Sequence, residues 1–198
     1  VTTGTQNTLI GGLAGDAITT SANNTAVGYL ALSANTTGAQ NTAVGKDALT
    51  TNVTGNYGTA VGYRALGTTT AGNNTAVGHD ALFATTTGDA NTAVGKNALA
   101  ANTTGIDNTG LGWGALGANT TASSNIAIGR DSVRTNTTGA NNVGIGNNAL
   151  YYNTTASNNT GIGHSALSAN TTGADNVALG ANALDANTTA GSNTAVGK

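Results

Sequence analysis

A nine-residue pattern, Asn-Thr-Ala-Val-Gly-x-x-Ala-Leu, recurs from one end of the chain to the other, and it restricts the possible folds more than any other feature. Its Gly falls at Gly11, Gly28, Gly45, Gly62, Gly78, Gly95, Gly112, Gly129, Gly146, Gly163, Gly180 and Gly197. Each step is 17 residues except Gly62 to Gly78, which is 16. The occurrences follow one another without an unrelated segment, so residues 1–198 read as a single repeat domain with no linker. A 17-residue unit is too short for the paired helices of α-repeats, which take about 33 residues or more. Gly, Thr and Asn throughout also depress helix propensity.

Within one unit, Asn24-Thr25-Ala26-Val27-Gly28 reads as a short strand and Tyr29-Leu30 as a corner. Ala31-Leu32-Ser33-Ala34 reads as a second short strand, and Asn35-Thr36-Thr37-Gly38-Ala39-Gln40 as a longer turn. The fold class expected is therefore all-β: a parallel β-solenoid (β-roll) of about twelve coils, with two short strands per coil. Coils stacked at the strand spacing of about 4.8 Å would give a rod on the order of 55 Å long.

The Val27 row (Ile10, Val44, Val61, Val77, Val94, Leu111, Ile128, Ile145, Ile162, Leu179, Val196) is always aliphatic, which places it inward. The Thr25 row lies on the same face by strand alternation and accepts Ile126, Val143 and Val177. The Leu32 row supplies the opposite wall. The intervening row holds only Ala or Gly: Ala26, Ala43, Ala60, Ala76, Ala93, Gly110, Ala127, Gly144, Gly161, Ala178 and Ala195. Two readings fit it: crowding within the coil, or a seam against a neighbouring chain. Asn rows at strand entrances (Asn24, Asn41, Asn74, Asn91) and turns (Asn35, Asn102, Asn119, Asn136) suit side-chain amide ladders along the axis. They also suit ordinary turn formation.

Composition narrows the function classes. Only 7% of residues are charged, net charge is −2, and Pro and Cys are absent, which fits disorder poorly and excludes disulfides. Nucleic-acid binding needs clustered Lys and Arg, which are missing. No apolar run approaches the roughly 20 residues of a membrane span. The eight Asp are scattered and Glu is absent, while His79 and His164 lie five coils apart. No catalytic residues, metal ligands or cofactor site are expected, and the chain reads as a non-enzyme.

The tandem Asn-Thr-Ala-Val-Gly-x-x-Ala-Leu units resemble the head repeats of trimeric autotransporter adhesins of the YadA type, with their Ser-x-Ala-x-Gly-x-x-Ala-x-Ala pattern. They are equally similar to repetitive shafts of phage tail fibres and bacterial surface fibres. The resemblance covers the whole chain. It implies left-handed coils, a homotrimer, and an extracellular, cell-surface or virion location. The coil here is three residues longer than the family's, the extra length lying in the Asn-Thr-Thr-Gly turn.

The position after each repeat Gly is the one variable row with chemistry in it. It carries Tyr29, Lys46, Tyr63, His79, Lys96, Trp113 and Arg130, four of the six basic residues of the chain falling somewhere along it. An unconstrained solvated corner would vary in this way. So would an aromatic and basic stripe contacting surface glycans or a polyanion. The function expected is a structural or adhesive extracellular fibre segment, assembled as a trimer or filament. The alternative is an ice-binding solenoid using stacked Thr pairs such as Thr103-Thr104 and Thr120-Thr121, although ice would favour Thr on an outward strand. Neither end shows a cap, so the repeats are expected to continue in a longer fibre.

Overall fold

The Thr-Ala-Val positions of each unit form a three-residue strand, and these strands pair only with their counterparts in the next coil. The computed structural model describes residues 3–198; Val1 and Thr2, counted above in the repeat domain, lie outside them. In chain order the strands are β1 (Thr8–Ile10), β2 (Thr25–Val27), β3 (Thr42–Val44), β4 (Thr59–Val61), β5 (Thr75–Val77), β6 (Thr92–Val94), β7 (Thr109–Leu111), β8 (Ile126–Ile128), β9 (Val143–Ile145), β10 (Thr160–Ile162), β11 (Val177–Leu179) and β12 (Thr194–Val196). They build one parallel sheet in sequential order, every strand in register with the next. The 16-residue step does not disturb this register: Thr59 pairs Thr75 and Val61 pairs Val77. The missing residue falls in the turn between Leu66 and Thr75.

The solenoid has one strand per coil, not two. The segment expected as the second strand, around Leu32, is a run of tight turns. Leu30 (φ 58°) and Leu32 (φ 55°) both take the left-handed conformation, and so do Leu49, Leu99, Leu150 and even the β-branched Val133 (φ 49°). Such a backbone costs an L-residue of this kind about 1–2 kcal/mol. Stacking offsets the cost, because Leu32 N–H donates to Ala48 O at 2.9 Å and Ala34 N–H to Thr50 O at 3.2 Å in the next coil. Burial of the Leu side chain does the rest.

The faces of the strand are also the reverse of the expectation. Ala26, Ala43, Ala60, Ala76, Ala93, Ala127 and Ala178 are fully buried within the single chain. Gly110, Gly144 and Gly161 share that environment, and Ala195 in the last coil is half-buried. The Thr25 and Val27 rows face out: Val94 is 39% exposed and Leu179 46%. The reason is space. With tight turns opposite a single strand, the interior of a coil has room for a methyl group from the strand and a Leu from the other wall. A Cβ built at Gly110 would meet Leu99 Cδ1 at 3.4 Å. At Gly144 it would meet Val133 Cγ2 at 2.5 Å and Ser132 Oγ at 2.6 Å, so at this coil the opposite wall leaves no room even for Ala. The Ala/Gly row is thus the crowded interior and not a seam between chains.

The repeat Gly has a separate cause. Gly112 sits at φ 136°, and a Cβ there would stand 2.5 Å from Gly129 O in the next coil. Backbone lies directly on backbone along this row, which excludes a side chain.

Two Asn ladders close the ends of the core. At the strand entrances Asn142 Nδ2 donates to Asn125 Oδ1 (3.1 Å) and to Ala156 O (2.9 Å). Its own Oδ1 accepts from Asn159 N–H at 3.0 Å. In the turns Asn119, Asn136, Asn153, Asn170 and Asn187 each donate to the Asn of the preceding coil at 2.9–3.0 Å. These amides are buried except near the last coil, and the ladders give them and the turn carbonyls partners that water cannot reach.

Candidate functional site

Side chains of the corner row project from the turn that follows each strand, so they stand one coil apart in a file along the rod. All seven singled out in the sequence (Tyr29, Lys46, Tyr63, His79, Lys96, Trp113, Arg130) are exposed. The stack brings several of them together. Lys46 Nζ lies 5.8 Å from the Tyr29 ring centroid and 5.2 Å from that of Tyr63. The Tyr63 and His79 rings are 5.1 Å apart and tilted by 50°. Further along, the Arg130 guanidinium lies 5.1 Å from the Trp113 ring. The stripe is therefore two patches, Tyr29 to His79 and Trp113 to Arg130, with Lys96 between them.

The next position contributes the counter-charges. Lys46 donates to Asp47, and this hydrogen bond holds the ammonium pKa above its ordinary value. His79 Nδ1 lies 3.0 Å from Asp80 Oδ2. Arg64 Nε is 3.3 Å from Asp80 Oδ1, an ion pair without hydrogen-bond alignment. The Arg64 guanidinium also lies over the Phe83 ring, 3.8 Å from its centroid. In solvent such pairs contribute little stability.

The second patch has more built around it than the sequence suggested. Asp131, only 7% exposed, lies between two guanidinium groups, with Oδ2 3.2 Å from Arg130 Nε and Oδ1 3.6 Å from Arg134 Nη1. Arg134 also lies 5.5 Å from the Trp113 ring. One coil below, Gly114 takes a position that holds Asp47, Arg64 or Asp80 elsewhere. A Cβ on Gly114 would collide with Arg134 Nη1 and stand 2.6 Å from Asp131 Oδ1. Beside this group opens a recess of about 370 Å³ lined by Asp131, Asn148, Tyr151, Tyr152, Ser165 and Ser168. Of these residues the reading of the sequence selected none. The available signal was the break in the repeat: Tyr152 stands where the other coils carry only Ala or Thr.

Among the described residues no group of three or more His, Cys, Asp or Glu is placed to hold a metal ion. None of their helices is long and apolar enough to cross a membrane. A scan against protein-family models and searches of curated proteins and of solved structures give no match to this chain.

Proposed function

We propose that the chain is a segment of an extracellular structural and adhesive fibre, in which copies associate side by side through the outer face of the sheet. The observation that carries this reading is the double row of Thr/Ile/Val and Val/Ile/Leu that runs uncharged along every strand from β2 to β12. An uncharged strip of this length reaches the upper range of what a monomer ordinarily exposes, where such patches are often functional. Its dimensions, about 10 Å by 50 Å from the strand rise and spacing, would bury on the order of 1,000 Å² between two copies, near the threshold for a specific interface. A second copy is the natural occupant, since only it repeats the same rows at the same spacing. The resemblance to adhesin head repeats and tail-fibre shafts points the same way and favours a trimer. Native mass spectrometry of the purified chain tests this: trimers or longer assemblies are expected, and a monomer at tens of micromolar would overturn it.

One observation favours ice binding as a second reading. The Thr row of β2 to β7 lies on an outward strand, the placement that a flat ice face requires. The Thr pairs of the turns are less suited, because the first hydroxyl of each pair is occupied: Thr103, Thr120, Thr137 and Thr154 donate to the next coil's carbonyl at 3.0–3.1 Å. Thermal hysteresis in a monomeric preparation would support this reading, and its absence would remove it.

A further inference from the structure

The recess beside Tyr151 and Tyr152 is bounded by residues drawn from four successive coils. Gly114 and Gly117 clear space in the first, where a Cβ on Gly117 would stand 2.8 Å from Arg134 Nη1. Arg130, Asp131 and Arg134 occupy the second, Tyr151 and Tyr152 the third with Asn148, and Ser165 and Ser168 the fourth. Drift at an unconstrained row would change coils independently. Here Gly114 and Gly117 admit Arg134 of the next coil, and a concavity opens beside Tyr151 and Tyr152.

The lining has a definite chemistry. The Asp131 carboxylate is nearly buried and oriented by its two arginines, so it arrives as a fixed acceptor. Asn148 offers an amide donor and acceptor, and Ser165 and Ser168 offer hydroxyls that do both. Tyr151 and Tyr152 pack edge to face, 4.6 Å between centroids, and Tyr152 stays 56% exposed with a ring available for stacking. A ligand that matches must carry several hydroxyls around an apolar ring face. A neutral ligand fits best, because the one carboxylate of the lining is already paired with Arg130 and Arg134, neither of which lines the recess, and this leaves no free charge for an ionised ligand to pair with. The volume lies at the small end of ligand cavities, which run from about 300 to 1,000 Å³.

We infer that this recess is a binding site for one or two units of a neutral saccharide, with Tyr152 stacking on the sugar and Asp131 accepting from its hydroxyls. The inference deepens the adhesive reading and rests on it, giving the fibre a ligand class. The test is saturation-transfer NMR with the intact 198-residue chain, using methyl glucoside, galactoside and mannoside, their neutral disaccharides, and glucuronate as an anionic control. At least one neutral sugar should bind, and glucuronate should not. Tyr152→Ala and Ser168→Trp, the first removing the platform and the second filling the recess, should each weaken binding at least about tenfold with circular dichroism unchanged. No binding by any neutral sugar, equal binding of glucuronate, or binding that survives both substitutions would overturn the inference. Oligomeric state measured on the same samples keeps the fibre reading separate, since assembly without sugar binding sinks only the site.

Discussion

The coils from Asn102 to Asn187 and the coils between Gly58 and Thr85 carry the same sheet on different side-chain supports. In the first region both Asn ladders are continuous. In the second, Gly58 stands at an entrance position and supplies no side-chain acceptor, while Thr69 and Thr85 replace Asn in the turns. Thr69 Oγ1 still accepts from Ala71 N–H at 3.1 Å, imitating the local half of the Asn role, as Asn52 does for Gly55. Thr85 Oγ1 is buried without a partner. Yet β4, β5 and β6 remain in register across this stretch. The difference teaches that the backbone ladder and the Ala/Leu interior define the coil, and that the Asn ladders add stability by satisfying buried polar groups.

The largest effect expected is one that should be felt in either region. Gly112→Ala combines a positive φ with a Cβ pressed onto Gly129 O, and strain plus overpacking should cost about 4 kcal/mol. Urea unfolding measures this, and a midpoint near that of the unmodified chain would show that the rows are not stacked backbone on backbone.

Next in size, Asn142→Leu removes a member of the continuous ladder. It strands Asn159 N–H and leaves the Ala156 carbonyl with only its bond from Asn153, and the loss should be about 1–3 kcal/mol. The same scale applies in reverse at the interruption. Gly58→Asn restores a side chain between Asn41 and Asn74, with a Cβ 3.0 Å from Asn41 Oδ1 and 3.4 Å from Leu49 Cδ1. Asn is housed at the equivalent site in neighbouring coils, so this variant should gain about 1 kcal/mol, read as a higher unfolding midpoint. A loss there would mean that the interruption is packed for Gly and is not a gap in the ladder.

Much of this architecture is legible in the sequence because a repeat writes each structural constraint many times over. The period, the parallel stacking, the invariant Gly row and the Asn ladders all follow from columns of the repeat. The direction of the strand faces does not. Alternation separates the Thr25 and Val27 rows from the Ala26 row, but it leaves open which side is interior. The usual preference of aliphatic side chains for the core fails in a coil this narrow. Ala stays inside because nothing larger fits, while Val and Ile are left outside. The turns around Leu32 escaped notice for a related reason: a left-handed Leu is costly in isolation, and only stacking and burial sustain it. At the candidate site, the corner row was visible as a list of residues. The recess was not, because its lining is drawn from several coils and no single column of the repeat marks it.

The most direct test of the account is a pair of neighbouring substitutions on β6, Ala93→Asp and Val94→Asp, followed by circular dichroism and thermal melting. Ala93 is wholly buried and Val94 is 39% exposed. An aspartate at 93 puts an unpaired charge into a sealed row and should abolish the folded β signal, whereas at 94 it meets solvent and should leave the fold of the single chain intact. A folded Ala93→Asp beside an unfolded Val94→Asp would contradict the assignment of the faces and the account built on it.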